Sequence, residues 1–190
     1  MIADRGLPDP DFLALPRHDL ADAAIAAALA DGAQYADLRL HRIVNEIIQV
    51  RDGELDVSVI RSVLETRLHN GPKIAELAAQ RRGPELVGLL SGTIELLAAE
   101  QDPVARQRHA LAYWDHVVDA ADSIVFRLMY NSMRATYEPA LPALSVVMAP
   151  EVGRPEAYRR LAEVIENGDA DAARAAAIDL LAPATSAILA

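Results

Sequence analysis

From Ile60 onward, apolar residues recur at intervals of three and four, the pattern of helices that bury one face. Val63, Leu64, Arg67 and Leu68 open a stripe, apolar but for the arginine, that continues through Ile74, Leu77 and Ala78. Gly71-Pro72 falls inside it and predicts a kink, because proline removes a backbone donor. Gly83-Pro84 starts a second helix, with Leu86, Leu89, Leu90, Ile94 and Leu97 as its stripe. Asp102-Pro103 opens a third, running to Ala121, and Asp122 or Ser123 caps a fourth. That fourth helix carries Ile124, Val125, Leu128, Met129 and Met133 on more than one side, which predicts a central position. Pro139 and Pro142 end or bend it, and Leu144–Met148 follows as a short apolar stretch. Gly153-Arg154-Pro155 starts a helix with Tyr158, Leu161, Ala162 and Ile165 on one face. Asn167-Gly168 stops it, Asp169 caps a last helix over 170–181, and Pro183 precedes an apolar tail. Short loops between such helices predict an antiparallel bundle of six or seven.

The pattern before Ile60 differs. Residues 1–18 are proline-rich and aperiodic, an extended arm. Asp19 or Asp22 caps a thin amphipathic helix over 21–30, stopped by Gly32. Asp52-Gly53 then reads as a two-residue hairpin turn, followed by alternation through Leu55, Val57 and Val59. The expected fold is mainly α: a helix and β-hairpin over 19–59, then an all-α bundle over 60–190.

Composition narrows the function. The chain has 190 residues, is 52% hydrophobic but only 4% aromatic, and carries a net charge of -10. Alanine supplies much of the apolar content, which favours closely packed helices. Acidic balance without basic runs argues against nucleic acid or an anionic membrane as partner. No cysteine is present, which excludes disulfides, thiolate catalysis and Cys-ligated zinc. No signal peptide is expected from the acidic, proline-broken start, and no apolar run approaches the roughly 20 residues that span a bilayer. A cytoplasmic protein is the expectation.

Two stretches resemble known families. Asp31-Gly32-Ala33, Tyr35-Ala36-Asp37-Leu38-Arg39 and Val50-Arg51-Asp52-Gly53-Glu54-Leu55 make residues 19–58 similar to the start of TldD/PmbA metallopeptidases. That family's metal site is a His-Glu-x-x-x-His helix plus a distant Cys. The chain has neither His-Glu nor Cys, so no protease activity carries over. Three further phrases stand in order along the chain. They are Glu65-Thr66-Arg67 with Pro72 and Lys73-Ile74-Ala75-Glu76-Leu77, then Ala112-Tyr113-Trp114 through Asp122-Ser123, then Leu161 through Ile165-Glu166-Asn167-Gly168-Asp169. With them, residues 60–188 resemble the effector-binding FCD domain of FadR-type GntR transcription regulators. The resemblance implies a ligand-sensing homodimer, built through the first and central helices. Residues 1–58 do not supply that family's winged-helix head, so DNA binding by this chain alone is not expected. The chain looks composite, with the two likenesses meeting near Asp56–Ile60. The alternative is a non-catalytic subunit or interaction module linked to a TldD-like peptidase system.

Many FCD domains hold a divalent metal with one Asp and three His. The corresponding positions here are Ala110, Trp114, Tyr158 and Leu180, none of them a ligand type, so no metal and no cofactor is expected. Metal-free relatives sense fatty acids or acyl-CoA, which makes a fatty acid, acyl-CoA or other organic acid the expected effector. The candidate ligand-binding residues are Arg67, Trp114, Arg127, Tyr130, Asn131, Arg134 and Tyr158. Guanidiniums can grip a carboxylate bidentately, and Trp114 and Tyr158 would supply an aromatic wall. Competing roles are an Arg134–Glu138 ion pair at i, i+4 and an aromatic core. His109 and His116 lie two helical turns apart, too far to share an ion. A His116–Asp119 pair has no nucleophile beside it, so no enzyme activity is expected.

Overall fold

A computed structural model describes residues 57–189. Seven α-helices follow one another: α1 (Val57–Arg81), α2 (Leu86–Ala99), α3 (Pro103–Ala120), α4 (Ile124–Tyr137), α5 (Leu141–Val152), α6 (Pro155–Glu166) and α7 (Ala170–Leu189), with a 3-10 turn, Glu138–Ala140, between α4 and α5. The predicted arm, the helix over 21–30, the Asp52-Gly53 hairpin and the TldD-like phrases lie outside the described residues. Among the described residues all regular structure is helical.

Small residues set how closely the helices approach. Ala75, Ala78 and Ala79 on α1 and Ala173, Ala177 and Ala184 on α7 are fully buried, and α1 and α7 share the most extensive contact in the bundle. Short side chains let two backbones come together, so an alanine-rich sequence forms a dense core with few aromatics. Gly71 belongs to the same seam. A Cβ built there would stand 2.5 Å from Leu181 Cδ1 and 3.5 Å from Trp114 Cη2. Gly71 and Pro72 lie inside one helix that continues to Arg81.

Helix ends are where the caps were expected. Asp102 Oδ2 accepts from Ala105 N at 2.7 Å, Pro103 occupies the first turn of α3, and Asp169 Oδ1 accepts from Ala172 N at 3.0 Å. Gly168 adopts φ +74°, the left-handed conformation that closes α6. The Arg82 guanidinium fills the space beside it, donating to Glu166 O at 2.8 Å and Ala79 O at 2.6 Å. One side chain thus caps the carbonyl ends of α1 and α6 together.

Three expectations are corrected. The stretch Leu144–Met148 belongs to a full helix, α5, with Pro142 in its first turn, where a missing N–H costs nothing. The last helix continues past Pro183 to Leu189. Proline deprives Asp179 O of its donor, and Nη1 of Arg154, the residue just before α6, supplies one at 3.0 Å, so the helix need not end. Finally, α4 is peripheral, not central. Its residues Ile124, Val125 and Leu128 are 73%, 60% and 54% exposed, and it packs chiefly on α3 and the 3-10 turn.

Candidate functional site

An internal cavity of about 410 Å³ opens between α1, α3, α4, α5 and α7. Three helices turn matching stripes toward it. From α1 come Thr66, Arg67, Asn70, Gly71 and Ile74; from α3, Gln107, Ala110, Leu111, Trp114 and Val118; from α4, Phe126, Met129, Tyr130, Met133 and Tyr137. The last two sets share the spacing i, i+3, i+4, i+7, i+11, one face of a helix three turns long. Met148 and Val152 of α5 and Leu181 of α7 close the far side. Leu128 and Met129 line the cavity yet are 54% and 42% exposed, so it reaches the surface beside α4.

The polar groups gather toward one end. Arg67 forms a fork with Glu151: Nη1 to Oε2 at 3.2 Å and Nη2 to Oε1 at 2.6 Å. The Glu151 side chain is fully buried, that of Arg67 nearly so. Two desolvated charges are tolerable because each satisfies the other bidentately. Burial alone would pull the Arg67 pKa down, but the Glu151 carboxylate and the phenols of Tyr137 and Tyr158 hold it above its ordinary value. The guanidinium also stands 5.9 Å from the centre of the Tyr137 ring, and Nη1 lies 3.7 Å from Met148 Sδ. Tyr137 donates to Gln107 Oε1 at 3.1 Å, and Gln107 Nε2 donates to Leu141 O at 2.9 Å. Tyr130 donates to Leu111 O at 2.5 Å, which pins α4 to α3. Burial pushes the phenols of Tyr113, Tyr130, Tyr137 and Tyr158 above their ordinary range, so they act as neutral donors.

Among the described residues, two polar groups in this region have no protein partner. The Trp114 Nε1–H is buried without an acceptor among the described residues. An orphaned donor of this kind costs about 1–3 kcal/mol. The half-buried Asn70 carboxamide makes no hydrogen bond there either.

Of the seven residues expected to bind ligand, Arg67, Trp114 and Tyr130 line the cavity. The other four stand elsewhere. Arg127 pairs with Asp115 at 2.5 Å and also with Asp119, while Arg134 lies 3.1 Å from Asp115 and 3.5 Å from Glu138. Asn131 is exposed on α4. Tyr158 is wholly buried behind the Arg67–Glu151 pair, its hydroxyl 3.5 Å from Glu151 Oε1, and its ring packs edge-on against Tyr113. Asp119, the proposed partner of His116, is held by Arg127. No group of three or more His, Cys, Asp or Glu able to hold a metal occurs among the described residues.

Sequence reasoning missed Glu151, Gln107, Asn70 and Tyr137. Glu151 had a usable signal: it is the lone charged residue of the apolar helix LPALSVVMAPEV. What sequence does not show is its partner, 84 positions away.

Comparison with known proteins identifies the bundle. The profile of the FCD domain matches residues 56–182. The chain belongs to the FCD domain family. HTH-type transcriptional regulator Mce2R of Mycobacterium tuberculosis (strain CDC 1551 / Oshkosh) is 54% identical to it over 140 residues, 74% of this chain and 58% of the relative. Uncharacterized HTH-type transcriptional regulator Mb0601 of Mycobacterium bovis (strain ATCC BAA-935 / AF2122/97) matches with the same identity and coverage. The chain therefore spans somewhat over half the length of these curated relatives. Both relatives are named as HTH-type transcriptional regulators. No helix of the described FCD domain is long and apolar enough to cross a membrane.

Proposed function

We propose that this FCD domain is the sensing part of a transcription regulator and takes a small apolar or acyl-chain effector, without a metal ion, in the cavity between α1, α3 and α4. The observation that carries this reading is the cavity itself. It is large enough for a small organic molecule, is walled mainly by apolar and aromatic side chains, and has a few fixed polar groups at one end. The two relatives named as transcriptional regulators support the regulatory role. In this reading the protein is a cytoplasmic homodimer, and occupancy biases its geometry because ligand binds one arrangement better than the other. Helix α4 is the natural reporter: it walls the cavity on one face, meets solvent on the other, and packs on little else.

Native mass spectrometry of the protein purified from cells tests this, with identification of whatever denaturation releases. The expected result is a stoichiometric apolar molecule that is missing from an Ala110→Phe variant, whose new ring occupies the cavity. A protein that purifies empty, and gains no thermal stability from any acyl-chain compound, would contradict the reading.

A further inference from the structure

The charges around the cavity say more about the effector than its shape does. Arg67 reaches the wall already neutralised by Glu151, which is wholly buried and has no solvent to screen it. The two other arginines near α4 are engaged as well, Arg127 by Asp115 and Asp119 and Arg134 by Asp115 and Glu138. In this region three guanidiniums therefore face four carboxylates. A ligand carboxylate approaching Arg67 would place a second anion against one cation in a low-dielectric wall, where like charges repel strongly. Among the described residues, the side chain that lines the cavity and has no partner is neutral: the half-buried Asn70 carboxamide. Its N–H groups suit an uncharged oxygen acceptor.

We infer that the effector is an uncharged, mainly apolar molecule carrying a hydroxyl, ketone or ester oxygen, and that Glu151 sets this preference by cancelling the charge of Arg67. The inference rests on the cavity being the effector site and narrows the ligand class within it. Free fatty acids and other organic anions are then excluded by electrostatics, not by size. Glu151 acts through Arg67 and is a positioning and charge-setting residue.

Calorimetry with two probes of equal chain length, n-decanol and decanoate, separates the alternatives at neutral pH. On the unmodified protein, decanol is expected to bind at least about tenfold more tightly than decanoate. In Glu151→Gln, which keeps the shape and leaves Arg67 charged, the gap is expected to close or reverse. Should that variant fold poorly, the comparison on the unmodified protein decides alone. Decanoate binding as tightly as decanol to the unmodified protein would overturn the inference and leave the cavity reading intact. Equal discrimination in a folded Glu151→Gln variant would overturn the role given to Glu151. Binding of neither probe would remove the cavity reading and the inference with it.

Discussion

Glu151 and Arg67 are linked so closely that neither can be changed alone without cost. Truncating Glu151 to alanine leaves a buried guanidinium unpaired, and urea denaturation is expected to show a loss of about 3–5 kcal/mol. Replacing both residues with methionine removes both charges, so the double variant should lose much less than the sum of the single ones. An additive loss would show that the fork contributes nothing as a pair. Trp114 makes the opposite case. Its N–H has no acceptor among the described residues. Trp114→Phe keeps most of the packing and deletes the orphan, so stability should hold or rise by about 1 kcal/mol. At this scale the sequence was informative about residue type. Arg67 and Trp114 stood out as a lone cation on an apolar stripe and a single indole in an aromatic-poor chain. It was silent about pairing, because Glu151 approaches from a helix that is remote in sequence. Arg127 and Arg134 look like ligand residues for the same reason Arg67 does; only the fold shows that Asp115 sits between them.

Individual helices were the most legible feature. Caps such as Asp102 and Asp169 and the stop at Gly168 act within one turn of chain, so local sequence determines them. Errors arose where a distant group changed the local rule. Pro183 reads as a stop until Arg154 supplies the missing donor to Asp179 O. Arg154→Ala is therefore expected to cost about 1 kcal/mol and to speed amide exchange in the turn after Asp179. The same clasp gives a pH dependence. Some burial raises the Asp179 pKa, but hydrogen bonds and charge from Arg154 and Arg160 outweigh it and leave the carboxyl below its ordinary value. A carboxyl lowered in the folded state adds stability above the ordinary carboxylate range and loses it as pH falls through the folded value. Asp179→Asn should accordingly be less stable than the parent near neutrality and converge with it in acid. Helix α4 was misplaced for another reason. Its apolar residues cover more than one face, and sequence alone cannot tell a buried helix from one with a cavity on one side and solvent on the other. Ile124→Ser and Val125→Ser should each shift stability by less than about 0.5 kcal/mol, since neither residue is buried. A loss as large as that of a core truncation would show that α4 is buried after all.

Across the whole bundle, one arrangement serves both folding and sensing. Buried alanines pack α1 closely against α7. Beside that seam, Trp114, Tyr130 and Met133 help to wall the space between α1, α3 and α4. Helix number and order were readable from periodicity, and the family from three short phrases. The cavity was not, because a void is the difference between side-chain volumes contributed by five helices. Its place can nonetheless be followed directly in solution. Trp114 is the sole tryptophan of the chain, and its indole forms part of the cavity wall. Titration of n-decanol against its fluorescence thus tests most directly whether the cavity is the binding site. A saturable change in emission, abolished in a folded Ala110→Phe variant, is the predicted result; an emission spectrum indifferent to ligand, or an equal response from Ala110→Phe, would contradict it.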